Sequence, residues 1–418
     1  MFSLTIIFFG YYTEYSHQDA LSLSGLFLVR QFPPLFHLVL ISLVAHVALV
    51  GARITTSLYA LSLHASEFTV GILIASFALF PMLFAVPLGR WVDHIGLKKP
   101  MRIGAVLMAT GCAIPSFITG LGVLYFSVLL IGSGFLAMHI AVQHAVGSLS
   151  ESDARGRNFS WLALGYSTSS FIGPVMAGYV IEHFRHATAY AICTGFVLTS
   201  ILLLSSKNLR SLHLRHAASA AAQSAAKASN SSIIDLLRHK ELRRVYIVSI
   251  CLASSWDLFM FVMPIHGTHM GLSASSIGWI LGCFSASTFT VRLAMHWISR
   301  HASQWQILTT ALIFAVLCFL VFPFMTSPLA IVLVTIVLGL ALGSSQPNVL
   351  ALLHEMSPPG RAGEAVGLRI TIGNASQVAL PLAFGAAGAT VGLFPVFWAM
   401  SALIGIGVPL AWRRAAEK

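Results

Sequence analysis

Apolar stretches of roughly membrane-spanning length alternate along this chain with short polar breaks. About twelve occur, near 36–58, 69–91, 101–119, 122–146, 159–182, 187–206, 244–266, 274–297, 306–325, 328–352, 364–387 and 391–412. A helix needs about 20 such residues to cross the hydrocarbon core of a bilayer. The pattern therefore predicts an all-α membrane protein with twelve transmembrane helices. The breaks are Gly, Pro or charged punctuation, as at Lys98-Lys99-Pro100 and Pro358-Pro359-Gly360. Outer-membrane barrel strands would alternate apolar and polar positions instead.

Composition narrows the choice further. Of the 418 residues 57% are hydrophobic and only 9% charged, against about 25% charged in an ordinary soluble domain. A soluble enzyme of this size would lack polar surface to cover itself, and disorder requires the opposite composition. The net charge of +11 does not point to nucleic acid, because the basic residues have a topological explanation. Twenty of the 24 Lys and Arg lie in the termini and in alternate breaks, including 90–102, 155–157 and 207–244; the opposite breaks hold only Arg185. The positive-inside rule then places both termini in the cytoplasm, as expected for a multi-pass protein of a bacterial inner membrane. The five cysteines fall within apolar runs with no metal-ligand spacing and read as small buried hydrophobes. No metal site or cofactor is expected.

Two segments differ from the rest. Residues 1–35 read as an N-terminal cytoplasmic tail, since Met1–Phe9 is too short to span and Glu14 and Asp19 follow it. Residues 207–243 form a central cytoplasmic linker, of which Ala217–Ser232 is an Ala/Ser-rich flexible tract. Ile233–Leu242 mixes apolar and basic residues, which fits either a short helix on the inner membrane face or the end of a solvated linker. The linker divides a 36–206 bundle from a 244–412 bundle, with 413–418 as a short cytoplasmic tail.

The two bundles repeat one another. Trp91 and Trp297 are 206 residues apart, as are Arg155 and Arg361. Pro174 and Pro381 are 207 apart, and each precedes a glycine by four, Gly178 and Gly385. Three matches in order at offsets of 206 or 207 point to homologous six-helix halves, one of the main architectures of secondary transporters.

On these residues the chain resembles the major facilitator superfamily. Gly89-Arg90-Trp91-Val92-Asp93-His94-Ile95-Gly96-Leu97-Lys98-Lys99 is similar to the loop 2–3 signature of that family, with His94 in place of a stronger base and Leu97 displacing the lysine pair by one. Gly89 allows close helix approach, Asp93 stands where it can cap a helix or pair with a cation, Gly96 permits a tight turn, and Lys98 and Lys99 anchor the loop. The resemblance implies a latch for the cytoplasmic gate. Gly165, Gly173, Pro174 and Gly178 resemble the span-5 signature of the exporter, or antiporter, branch. The family's span-4 arginine is absent from Leu129–Gly134. The implied fold is two pseudo-symmetric six-helix bundles around a central cavity, with alternating access by rocking of the halves.

Ionisable groups inside a membrane are functional candidates by default. Asp257 in span 7 is the only acid well inside a predicted span, and Arg53 in span 1, which the repeat offset carries to about position 259, lies at similar depth. In the resembled fold these spans face each other, so Arg53 and Asp257 are expected to approach or pair when the extracytoplasmic side closes. Burial favours the protonated carboxyl and a nearby guanidinium the ionised one, which makes Asp257 the candidate proton-coupling group. Arg292 and Arg369 either snorkel to headgroups or line the cavity. His139 and Gln143, one turn apart in span 4, Gln346 and Asn348 in span 10, and Asn374 and Gln377 in span 11 complete a candidate polar cavity; interhelical hydrogen bonding accounts for them equally well.

The expectation is a secondary transporter, not an enzyme, that exports a small molecule by proton antiport. Its partners are a small-molecule substrate, protons and the lipid bilayer, with no nucleic acid, and a monomer is expected. The first rival is proton-coupled uptake of a small organic anion, suggested by Arg53, Arg292 and Arg369. The second is a membrane receptor without flux.

Overall fold

The structure, a computed structural model, describes residues 34–95, 97–149, 155–206, 233–358 and 361–416. The N-terminal tail up to residue 33, the linker tract 207–232 and Gly96 lie outside the described residues.

Every element is helical. The first half comprises α1 (Pro34–Ser62), α2 (Glu67–Ile95), α3 (Lys98–Phe117), α4 (Leu121–Leu149), α5 (Arg155–His183) and α6 (His186–Leu204). A short α7 (Ile233–Arg238) follows the linker. The second half comprises α8 (Lys240–His269), α9 (Ala274–His301), α10 (Gln304–Val321) with a 3₁₀ turn at Phe322–Phe324, α11 (Pro328–Gly343), α12 (Ser345–Met356), α13 (Ala362–Val391), α14 (Leu393–Gly405) and α15 (Gly407–Ala416). Consecutive long helices run in opposite directions. Both ends of the described chain therefore lie at one face, termed the terminal face, and the α1–α2, α5–α6 and α8–α9 turns lie at the opposite face.

Among the described residues ten segments are long and apolar enough to cross a membrane, with α11–α12 and α14–α15 each forming one such segment. The expected spans 3 and 5 are fully formed as α3 and α5, but polar residues dilute them: Lys98, Lys99 and Arg102 in α3, and Ser167-Thr168-Ser169-Ser170 in α5. Both pack against apolar neighbours, α3 on α4 and α6, α5 on α1 and α9. The 29-residue helices, at 1.5 Å per residue, reach about 43 Å and project beyond the apolar slab. Span 10 is broken at Ser344, where buried Asn348 donates to the freed Ser344 carbonyl at 2.7 Å. Such a break is tolerated at membrane depth only where side chains satisfy the backbone.

Helix starts in the second half carry local signals. Ser303 and Gln306 form a capping box on α10, and Ser273 and Ser327 cap α9 and α11. Gly392, at φ +81°, takes the left-handed turn between α13 and α14. The α7 segment is helical as far as Arg238, with Leu236 buried against neighbouring helices and Asp235 exposed. All five cysteines are free, four of them buried.

A charged cleft between two helical halves as the candidate functional site

Where the halves meet, they meet through glycine. A β-carbon at Gly178 of α5 would overlap the Ala274 carbonyl of α9, and one at Gly278 would lie 2.5 Å from the Pro174 carbonyl oxygen. The same arrangement recurs between α2 and α13: a β-carbon at Gly71 would overlap the Pro381 carbonyl, and one at Gly385 would lie 2.8 Å from the Glu67 carbonyl oxygen. Gly71 and Gly278 are 207 residues apart. The repeat noted at Pro174/Gly178 and Pro381/Gly385 thus extends to the helices they dock on. Gly173 packs against Val50 and Gly51 of α1, and Gly165 approaches Val39, so these two serve packing within the first half.

Both glycine contacts lie towards the opposite face, where polar contacts reinforce them. The Glu182 carboxylate, at the end of α5, accepts from the Ser275 backbone N–H at 2.8 Å. Glu67, at the start of α2, faces His269 of α8 at 3.6 Å. Towards the terminal face Leu83, Phe84, Trp91, Leu293, Trp297 and Ile370 are exposed. The halves are therefore closed against each other at the opposite face.

Arg53 sits deep in this cleft. Its guanidinium carbon lies 5.9 Å from the Phe77 ring centroid of α2. Asp257, on α8 of the other half, is near enough for the two charges to interact. Among the described residues they do not reach ion-pair distance.

A polar chain lies nearer the terminal face in the first half. His139 of α4 is 2.8 Å from the Gln143 amide nitrogen through Nε2, and 2.8 Å from the Tyr166 hydroxyl of α5 through Nδ1. Ser42 of α1 donates to Tyr166 at 2.8 Å. His46 Nδ1 lies 2.5 Å from Ser169 Oγ, and its ring packs edge-on against Tyr166. His139 thus bonds between helices through Tyr166, while Gln143, one turn on, is exposed.

Arg292 turns inwards instead of snorkelling to headgroups. It donates to Ser167 of α5 at 2.8 Å and to Gln346 of α12 at 3.3 Å, and lies 5.9 Å from the Trp256 ring centroid. It thereby bridges the two halves. Arg369 also turns inwards, donating from Nε to Ser249 of α8 at 2.8 Å. Asn374 and Gln377 are half-buried on α13 and make no hydrogen bond to another described residue. Asn348 is occupied by the helix break. In the loop motif, Gly89 and Asp93 belong to the last turns of α2; what the Asp93 side chain contacts, and Gly96 altogether, lie outside the described residues. Lys98 and Lys99 open α3, with Lys99 exposed at the terminal face.

The sequence matches the Major Facilitator Superfamily family model over residues 37–381 and again over 245–418. The chain belongs to this superfamily. It is 24% identical over 361 residues to Multidrug resistance protein 2 of Bacillus subtilis (strain 168), covering 84% of this chain and 88% of that protein. It is 25% identical over 308 residues to Monocarboxylate transporter 13 of Bos taurus, covering 71% and 68%. Among solved structures it is similar to a peptide transporter POT variant, with a TM-score of 0.74, 16% identity, and coverage of 91% and 94%. The last likeness concerns the fold alone. The protein is thus a multi-pass superfamily transporter.

Several residues of this transporter's cleft escape a linear reading. Ser167, Tyr166, Ser169 and Trp256 are ordinary helix residues until docking brings them to Arg292, His139 and His46. Glu67 and Glu182 read as helix-end charges until their cross-half partners appear. Gly71 and Gly278 carried a usable signal, the 207-residue offset, hidden among the 33 glycines of the chain.

Proposed function

We propose that this transporter is a proton-coupled exporter. The observation that carries this reading is the Arg53–Asp257 arrangement: one cation and one acid, on α1 and α8 of different halves, interacting at depth without a contact pair. Rocking of the halves changes their separation. A carboxylate that loses its guanidinium neighbour binds a proton more readily, and one that regains it releases the proton. If the two halves expose the site to alternate faces, that switch ties proton passage to the conformational cycle. The relative named for multidrug resistance supports export, as do the span-5 residues Gly165, Gly173, Pro174 and Gly178. Orientation follows from the Lys/Arg bias, which puts the terminal face in the cytoplasm. Closure at the opposite face then corresponds to an inward-facing state, with Lys98, Lys99 and Asp93 in the gate on the cytoplasmic side.

In antiport, a proton taken up at Asp257 from the outside is released inside as substrate leaves in the other direction. Inside-out vesicles that have been acidified in their lumen test this. Substrate addition is expected to release lumenal protons, and Asp257→Asn to abolish the release. Substrate-driven alkalinisation of the outer medium, with proton and substrate moving together, would instead establish uptake in the cell. The relatives' names divide between drugs and monocarboxylates, and leave the substrate's charge to be read from the cleft.

A further inference from the structure

The charge balance of the cleft is lopsided. Among the described residues Arg53, Arg292 and Arg369 lie at membrane depth, against Asp257 alone, and Asp257 acts on Arg53. Arg292 and Arg369 therefore have only neutral neighbours: Ser167, Gln346 and the Trp256 ring for the first, Ser249 for the second. A guanidinium withdrawn from water with neutral acceptors alone is poorly compensated. Its fork geometry suits a carboxylate or phosph(on)ate, which takes two parallel N–H bonds.

A second observation lies on the same helix. Arg292, His296 and Arg300 follow one another at four-residue steps along one side of α9, so the last is about 12 Å from the first along the axis. Arg300 donates to His296 Nε2 at 2.8 Å. Both line a cavity of about 570 Å³ at the terminal face, with Ser299, Ser303, Gln304 and Asn348. Across from α9, the α12 residues Gln346 and Pro347 are consecutive. Gln346 touches Arg292, and Pro347 lines the cavity. The cavity and the Arg292 site thus both lie between α9 and α12, with the cavity reaching on to the start of α10.

We propose that the transported molecule is an organic anion with a flat apolar body. Its acid group docks first at Arg300 and His296, then reaches Arg292, while its apolar part lies against Trp256. On arrival the acid replaces Ser167 and Gln346 as the acceptor for Arg292. Since Ser167 belongs to α5 and Arg292 to α9, the exchange removes a tie between the halves. This assignment rests on the cleft being the transport site, as the export reading requires, but not on the direction of flux.

Equilibrium binding to the purified full chain in detergent, without any gradient, tests the assignment separately from export. The probes are benzoate, salicylate and phenylphosphonate, their neutral counterpart benzamide, and the cation tetraphenylphosphonium. The acids are expected to bind saturably and to compete with one another, with benzamide at least about tenfold weaker, or about 1.4 kcal/mol. Arg292→Gln is expected to remove that difference, and Arg292→Lys to restore part of it. Arg300→Gln is expected to slow acid association about threefold and flatten its salt dependence, with dissociation unchanged. Equal affinity for benzoate and benzamide overturns the proposal, as does binding of tetraphenylphosphonium alone, or no saturable binding of any acid. The wild-type comparison decides even if a variant fails to fold. Acid binding without substrate-driven proton release would sink the export reading and leave this one standing.

Discussion

At the scale of single residues, the cleft separates groups that hold the helices together from groups left available. Tyr166 belongs to the first kind. Its hydroxyl meets both Ser42 and His139, linking α1, α4 and α5. Tyr166→Phe leaves two polar side chains short of a partner, at a cost of about 1–3 kcal/mol. The expected result is a lower melting temperature in detergent with substrate affinity changed much less, since His139 keeps Gln143. An affinity loss without a stability loss would place Tyr166 in the substrate site instead. Arg292 is the contrasting case: its partners are neutral and replaceable, so its substitution is expected to act on ligand binding before stability.

At the scale of helices, α10 and the glycine interfaces offer separate tests. The Ser303–Gln306 capping box satisfies backbone N–H groups at the start of α10. Ser303→Ala is expected to destabilise the protein by about 1 kcal/mol, measured by thermal unfolding, with transport retained. The glycine contacts act on conformation. A leucine at Gly278 or Gly71 has no room while the opposite face is closed, because backbone atoms of the facing helix occupy the position of its β-carbon. Gly278→Leu is expected to hold that face open. A cysteine placed at Ser275 would then label faster from the extracytoplasmic side, and transport would stop. Unchanged labelling would show that the α5–α9 contact does not gate access. These elements also show what a linear reading catches. The long spans were legible because a twenty-residue apolar run has few other uses, and Pro174 and Pro381 stood out because proline inside a helix is conspicuous. Gly71 and Gly278 were not singled out, because a glycine's role in docking depends on the helix opposite. The inward turn of Arg292 and Arg369 was equally hidden, since a flexible side chain near a span end can reach either headgroup or cleft.

At the scale of the whole molecule, glycine contacts close the two halves against each other at the opposite face. Glycine contacts, Glu182 on the start of α9, and Glu67 beside His269 all lie on the closed side. Glu182→Gln weakens the charge-assisted part of that closure. It is expected to shift the population towards the outward-open state, seen as faster labelling at the opposite face, with the fold intact. Under the proposed function Asp257, controlled by Arg53, couples protons to this rocking. Counterflow and gradient-driven transport in proteoliposomes, compared for the wild-type protein and Asp257→Asn, test it most directly. Counterflow needs the cleft and the rocking but no net proton movement. Asp257→Asn is expected to keep counterflow within about threefold, or about 0.7 kcal/mol, of wild type, and to lose accumulation driven by a proton gradient. Full gradient-driven transport by Asp257→Asn would contradict it.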